Sequence, residues 1–91
     1  MEEGNKDMLE FMLIVLLADY DMMGLIKYYN RSHEEYAPEA RTILRYLEYK
    51  EYDVGLDELA FKIQYIFEVW FNRRPSIVSC IKLAREIKLM I

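Results

Sequence analysis

Residues able to interrupt a helix are scarce in this chain: three glycines and two prolines in 91 residues. Between them the apolar residues recur at steps of three and four, the period of one face of an α-helix. With 54% hydrophobic and 31% charged residues, the sequence is too apolar to stay unfolded and too poor in breakers for a loop-rich fold. The expectation is all-α: a small single-domain bundle of four or five helices over residues 1–91, which homodimerisation can complete. No repeat at a period of 20–50 residues offers a solenoid instead.

Asn5 is placed to cap a first helix, with Asp7 in its opening turn where a carboxylate favours the positive end of the helix dipole. Met8, Met12, Val15, Leu16, Met22, Met23 and Ile26 fall on one side and predict an amphipathic helix reaching about Tyr29. Asp19 lies in the middle of that stripe, and a buried unpaired charge is costly. Two readings follow: the helix breaks between Ala18 and Asp21 and Asp19 caps a second short helix, or Asp19 is held in a crevice by Arg41 or Arg45.

Ser32-His33-Glu34-Glu35 matches a capping box, and Pro38, welcome only in a first turn, sets the start of the next helix. Its stripe is Ala40, Ile43, Leu44 and Leu47. Gly55 suits a left-handed residue after that helix, and Asp57 suits the cap of a third running from Glu58 to about Asn72. Leu59, Ile63, Ile66, Phe67 and Trp70 form one face of it, while Phe61, Tyr65 and Val69 form another. A helix apolar on two sides is either sandwiched in the domain, the favoured reading, or shared with a twin, which makes Phe61, Tyr65 and Val69 the candidate dimer interface. Pro75 marks a first turn of the last helix, whose seam is Ile77, Cys80, Ala84, Ile87 and Ile91. The expected core joins Leu16, Ile43, Leu47, Ile63, Ile66, Trp70, Ile77 and Ile87.

The chemistry is mostly exclusion. The single cysteine, Cys80, cannot form an internal disulfide, which suits an intracellular, cytoplasmic protein. The acidic start MEEGNKDM does not read as a signal peptide, and the apolar run Phe11 to Ala18 is too short to span a bilayer, so no membrane association is expected. No phosphate-cradling glycine loop and no Cys/His set at metal spacing occurs. His33, the only histidine, has no partner to make it a base or ligand. The chain is therefore expected to be no enzyme and to need no cofactor or metal.

What stands out is the tyrosines, eight of them. Tyr46, Tyr49 and Tyr52 recur around the end of the second main helix beside Glu48, Glu51 and Asp53, an acidic, aromatic patch suited to a basic protein surface. The net charge of −4 is also uneven: the last 20 residues carry Arg73, Arg74, Lys82, Arg85 and Lys88 against Glu86, leaving −8 on the first 71. In size, charge and helical format the chain resembles stand-alone stoichiometric binders such as toxin-immunity and virus-encoded inhibitory proteins. That resemblance covers no motif and assigns no residue. The functional expectation is a protein-binding module of inhibitor or immunity type, contacting its partner through Tyr46, Glu48, Tyr49, Glu51, Tyr52 and Asp53. The alternative is a helix-turn-helix DNA-binding protein using Arg73, Arg74, Ser76, Ser79, Lys82 and Arg85.

Overall fold

Leucines spaced four apart decide how the first helix sits. The computed structural model describes residues 3–29 and 33–91, with side chains for 7–27 and 35–91. In it α1 (Glu3–Tyr20) buries Leu9, Leu13 and Leu17. The first part of the stripe expected from the sequence is turned to solvent instead, with Met8, Met12 and Val15 exposed and Leu16 half-buried, whereas beyond the end of α1 Met23 is buried and Met22 and Ile26 pack on the core as expected. The segment is apolar nearly all round, and the charge decides between its faces. The row through Met8, Met12 and Val15 runs on to Asp19 within the helix, so burying it would bury a carboxylate; the leucine row reaches a carboxylate only at Asp21, beyond the end of the helix. Asn5 lies inside α1 and not at its start.

The expected break occurs, but a different aspartate makes the cap. After Tyr20 the backbone turns left-handed at Asp21 (φ 45°) and again at Gly24 (φ 70°). Asp21 then accepts hydrogen bonds from the backbone N–H groups of Ile26 (3.1 Å) and Lys27 (2.9 Å) at the start of α2 (Leu25–Tyr29). Asp19 caps nothing and is exposed, and Arg41 lies 3.6 Å from Glu10 rather than on Asp19. A 3-10 turn (His33–Tyr36) leads into α3 (Ala37–Tyr49), which has Pro38 in its first turn and buries Ala40, Ile43, Leu44 and Leu47 as its pattern requires. Ser32 and the side chain of His33, and with them the capping box, lie outside the described residues.

Between α3 and α4 (Leu56–Phe71) it is Glu51 (φ 55°) and Tyr52 (φ 62°) that take the left-handed conformation. Gly55, expected to be left-handed, is extended (φ −71°, ψ 156°) and is the N-cap residue of α4, and Asp57 lies inside the first turn. The left-handed residue at the other end of the helix is Asn72 (φ 52°), whose N–H reaches the Glu68 carbonyl at 2.8 Å. Pro75 stands just before α5 (Ile77–Met90), and Ser76 caps it by accepting from the Val78 N–H.

Each long helix packs on the next in the cyclic order α1, α3, α4, α5 and back to α1, and the 3-10 turn closes on α1. Leu13, Ile43, Leu47, Leu59, Ile63, Phe67, Leu83 and Ile87 meet inside as one core, each large apolar side chain contributing about 1.5–3 kcal/mol by leaving water. Trp70, expected in that core, is 53% exposed. It stands three residues after Phe67, but the ring that continues the packed layer is that of Phe71, stacked on Phe67 at 5.8 Å and 6.2 Å from Tyr36. Leu16 and Ile77 reach the core only at its margin, and Leu83 joins the seam of α5 where Ile91 does not. α4 is not sandwiched, because its second face is open to solvent. Among the described residues there is no strand, and no helix is long and apolar enough to cross a membrane.

Candidate partner-binding surface

The second face of α4 repeats every four residues: Phe61, Tyr65 and Val69 stand in one row and are each 60–62% exposed. Eight residues of helix make that row about 12 Å long. Its N-terminal end is laced to α3. Tyr46 donates its hydroxyl hydrogen to Glu58 Oε2 (2.9 Å), and Lys50 reaches the same oxygen at 2.9 Å. Lys62 Nζ then sits between two rings, 5.1 Å from the centroid of Tyr46 and 5.3 Å from that of Tyr65, within cation–π range of both.

These contacts join two groups that are separate in the sequence. The tyrosine patch at the end of α3 and the apolar row of α4 become one surface, with Lys62 as the bridge. Within it Tyr49 is 83% exposed, Glu51 and Asp53 are exposed, and Tyr46, Glu48 and Tyr52 are half-buried. Tyr46 and Tyr52 rest part of their rings on the core. The patch is less uniformly acidic than composition suggests, since Lys50 and Lys62 stand inside it. Only part of their signal was in the sequence: Lys62 lies three residues before Tyr65, at helical spacing, whereas Lys50 meets Glu58 and Lys62 meets Tyr46 across the turn between α3 and α4.

The electrostatics fit this geometry. Hydrogen bonds from Lys50 and Tyr46 hold the Glu58 carboxyl below its ordinary pKa. The bond to Glu58 raises Lys50, and burial with that same carboxylate raises Tyr46. All three keep their ordinary charge at neutral pH. Among the described residues Glu51 and Asp53 make no ion pair and leave their negative charge to solvent or to a partner.

The basic residues of the alternative reading are not gathered in the same way. Arg74 is held by Glu68 (Nε to Oε2, 3.1 Å), and Ser76 is used as the cap of α5. Arg73, Arg74, Ser76 and Ser79 line a cleft together with Asp21, whose negative charge disfavours a phosphate there. Lys82 and Arg85 are exposed on the far part of α5.

Two other polar sites escaped sequence reading. Tyr36, one tyrosine among eight, is fully buried; its hydroxyl donates to Asp21 Oδ1 (2.5 Å) and accepts from the Met23 N–H (3.2 Å). Burial with the bond to Asp21 pushes that hydroxyl up to about 12. Burial would raise Asp21 too, but the hydrogen bonds from Tyr36 and the N–H groups of Lys27, Ile26 and Leu25 outweigh it and lower the carboxyl. Glu39, in the first turn of α3, is buried with one carboxyl oxygen unpartnered. Among the described residues no three His, Cys, Asp or Glu side chains come together to hold a metal.

The profile of a family described as a domain of unknown function (DUF1871) matches residues 20–91, from the end of α1 through α5, and the chain belongs to that family. No curated protein and no solved structure matches it.

Proposed function

We propose that this DUF1871 chain acts without catalysis, by stoichiometric binding of its α3–α4 surface to a partner protein, in the manner of an inhibitor or immunity protein. The observation that carries this reading is Lys62 set between Tyr46 and Tyr65, which joins Tyr46 of α3 to the α4 row Phe61, Tyr65 and Val69 in one aromatic and aliphatic face. Exposed aromatic rings in a row supply desolvated contact area at low entropic cost, and the flanking carboxylates select the sign of the partner. Glu51 and Asp53, exposed and without an ion pair among the described residues, favour a basic partner surface. The single thiol of Cys80, buried and unpaired, is compatible with a reducing, intracellular setting. Phe61, Tyr65 and Val69, read from sequence as a dimer contact, are on this proposal part of the partner site.

The test is capture of a partner from source cells on the immobilised chain, beside a DNA shift assay across salt. Tyr65→Ala and Tyr49→Ala are expected to weaken capture at least about tenfold, the effect of losing a central aromatic anchor, and Glu51→Lys to slow association mainly at low salt. Binding of duplex DNA that is lost in Lys82→Ala and Arg85→Ala, with capture unaffected by Tyr65→Ala, would replace this reading by the DNA-binding one.

A further inference from the structure

The bundle uses only one of the two apolar faces of α1. Leu9, Leu13 and Leu17 are buried, while Met8, Phe11, Met12 and Val15 face outward, Phe11 with 66% of its surface exposed. Where this face meets α5 there is an apolar groove of about 250 Å³, lined by Phe11, Met12, Val15, Leu16, Asp19 and Met90. On the solvent side of α5, Val78, Lys82, Arg85 and Leu89 are exposed at steps of four, three and four, a second row that nothing in the bundle covers. The two helices differ in charge. From Asp7 to Tyr20, α1 has Asp7, Glu10 and Asp19 and no Lys or Arg, whereas α5 has Lys82, Arg85 and Lys88 against Glu86.

We propose that the α1–α5 face binds a second copy of this chain about a two-fold axis along the seam, laying α1 of each copy on α5 of the other. Three observations point to this occupant. The two helices are neighbours in the bundle, so one axis pairs both at once and the assembly closes at two copies. Glu10 is turned to Arg41 and Lys88 to the Val54 carbonyl, but the exposed Asp7 and Asp19 of α1 and Lys82 and Arg85 of α5 remain to pair in opposite sign across such an axis, whereas pairing α1 with α1 would oppose Asp7 and Asp19 in like sign. The area also approaches what is needed: with ~200 Å² as an upper figure for each side chain, the exposed parts of Met8, Phe11, Met12, Val15, Val78 and Leu89 offer at most roughly 700 Å² per copy, against the ~800 Å² per partner of a standard interface. The methionines suit such a contact, since their flexible thioethers adapt to a facing surface. This interface uses none of the α3–α4 residues and does not depend on the function proposed for them.

Sedimentation equilibrium on the full chain tests it, with circular dichroism confirming that each variant is folded. The wild type is expected at twice 11.0 kDa at tens of micromolar. Phe11→Glu and Met8→Lys on α1, and Lys82→Glu on α5, should each weaken the dimer at least about tenfold, the last less so at high salt. Val69→Glu on the outer row of α4 should leave the mass unchanged. A wild type that sediments as a monomer overturns the proposal. So does a dimer that survives the α1 and α5 substitutions, or one that Val69→Glu dissociates.

Discussion

Glu39 ties the stability of this fold to pH in a direction opposite to that of most carboxylates. It is 2% exposed and its Oε1 has no hydrogen-bond partner. Burial, opposed only by its own backbone N–H and reinforced by the nearby charge of Glu35, pushes the carboxyl from 4.5 up to about 7. In the unfolded chain it returns to its ordinary value, so between 4.5 and about 7 the native state holds a proton that the unfolded state has released. Stability then falls as pH rises through that window and is flat with respect to this group above and below it. The interval corresponds to roughly 3 kcal/mol, a large share of the ~5–15 kcal/mol that holds a domain together. Urea unfolding of wild type and Glu39→Gln at pH 5 and pH 8 isolates the effect, because every other titrating group is common to both chains. Relative to wild type, Glu39→Gln should gain about 2–3 kcal/mol between the two pH values. Unfolding free energies that run parallel for the two chains across this range would refute the argument and imply a paired or hydrated carboxyl.

Asp21→Ala removes the cap of α2 and should cost about 1–2 kcal/mol in a thermal or urea melt; because the native carboxyl lies below its ordinary 3.8, the contribution is present above that value and is lost as pH falls from it through the lower native one. Tyr36→Phe leaves the buried Met23 N–H without its partner and should cost about 1–3 kcal/mol. Trp70→Ala should cost under about 1.5 kcal/mol, well short of the ~3–5 kcal/mol of a buried ring, and iodide should quench the native tryptophan fluorescence; a shielded Trp70 would contradict its 53% exposure. Cys80 is fully buried and its thiol is pushed up to about 11 by burial, so a thiol reagent at pH 8 should react with it only as the protein unfolds.

The helices were legible where a local rule acted alone. Pro38 fixes the start of α3 because its ring is tolerated only in a first turn, and the rows of α3 and most of α4 follow from spacing. Legibility failed where two rules competed or where a neighbour decided. In α1 both faces satisfied the helical period, and the choice between them rested on the desolvation of Asp19. Gly55 looked like the left-handed residue because glycine tolerates that conformation most easily. The chain instead strains Glu51 and Tyr52, where the N–H of Tyr52 reaches the Leu47 carbonyl at 2.8 Å. Trp70 is at core spacing from Phe67, yet it is Phe71 that stacks on Phe67 and meets Tyr36, a choice made by the neighbouring rings that no helical wheel contains. Glu39 reads as an ordinary acidic first-turn residue, and only the packing around α3 buries it. For the candidate surface, the tyrosines and the α4 row were visible as types, but their union depends on Lys62 reaching both rings, a contact between helices.

The placement of the two proposed interfaces has a consequence for stoichiometry. α1 and α4 occupy opposite corners of the cyclic order α1, α3, α4, α5, so a two-fold contact through α1 and α5 leaves the outer row of α4 and the tyrosines of α3 pointing away from the axis. Each copy then keeps its partner site free, and the expected complex holds two copies and two partners, without avidity unless the partner is itself a dimer. Phe11→Glu, which breaks the contact between copies, should convert that complex to one copy and one partner while changing the affinity per site by less than about threefold. Light scattering of the complex with wild type and with Phe11→Glu, beside a binding isotherm for each, measures both quantities. A folded Phe11→Glu chain that loses its partner would refute the independence of the two surfaces and would place the partner's contact on α1 itself.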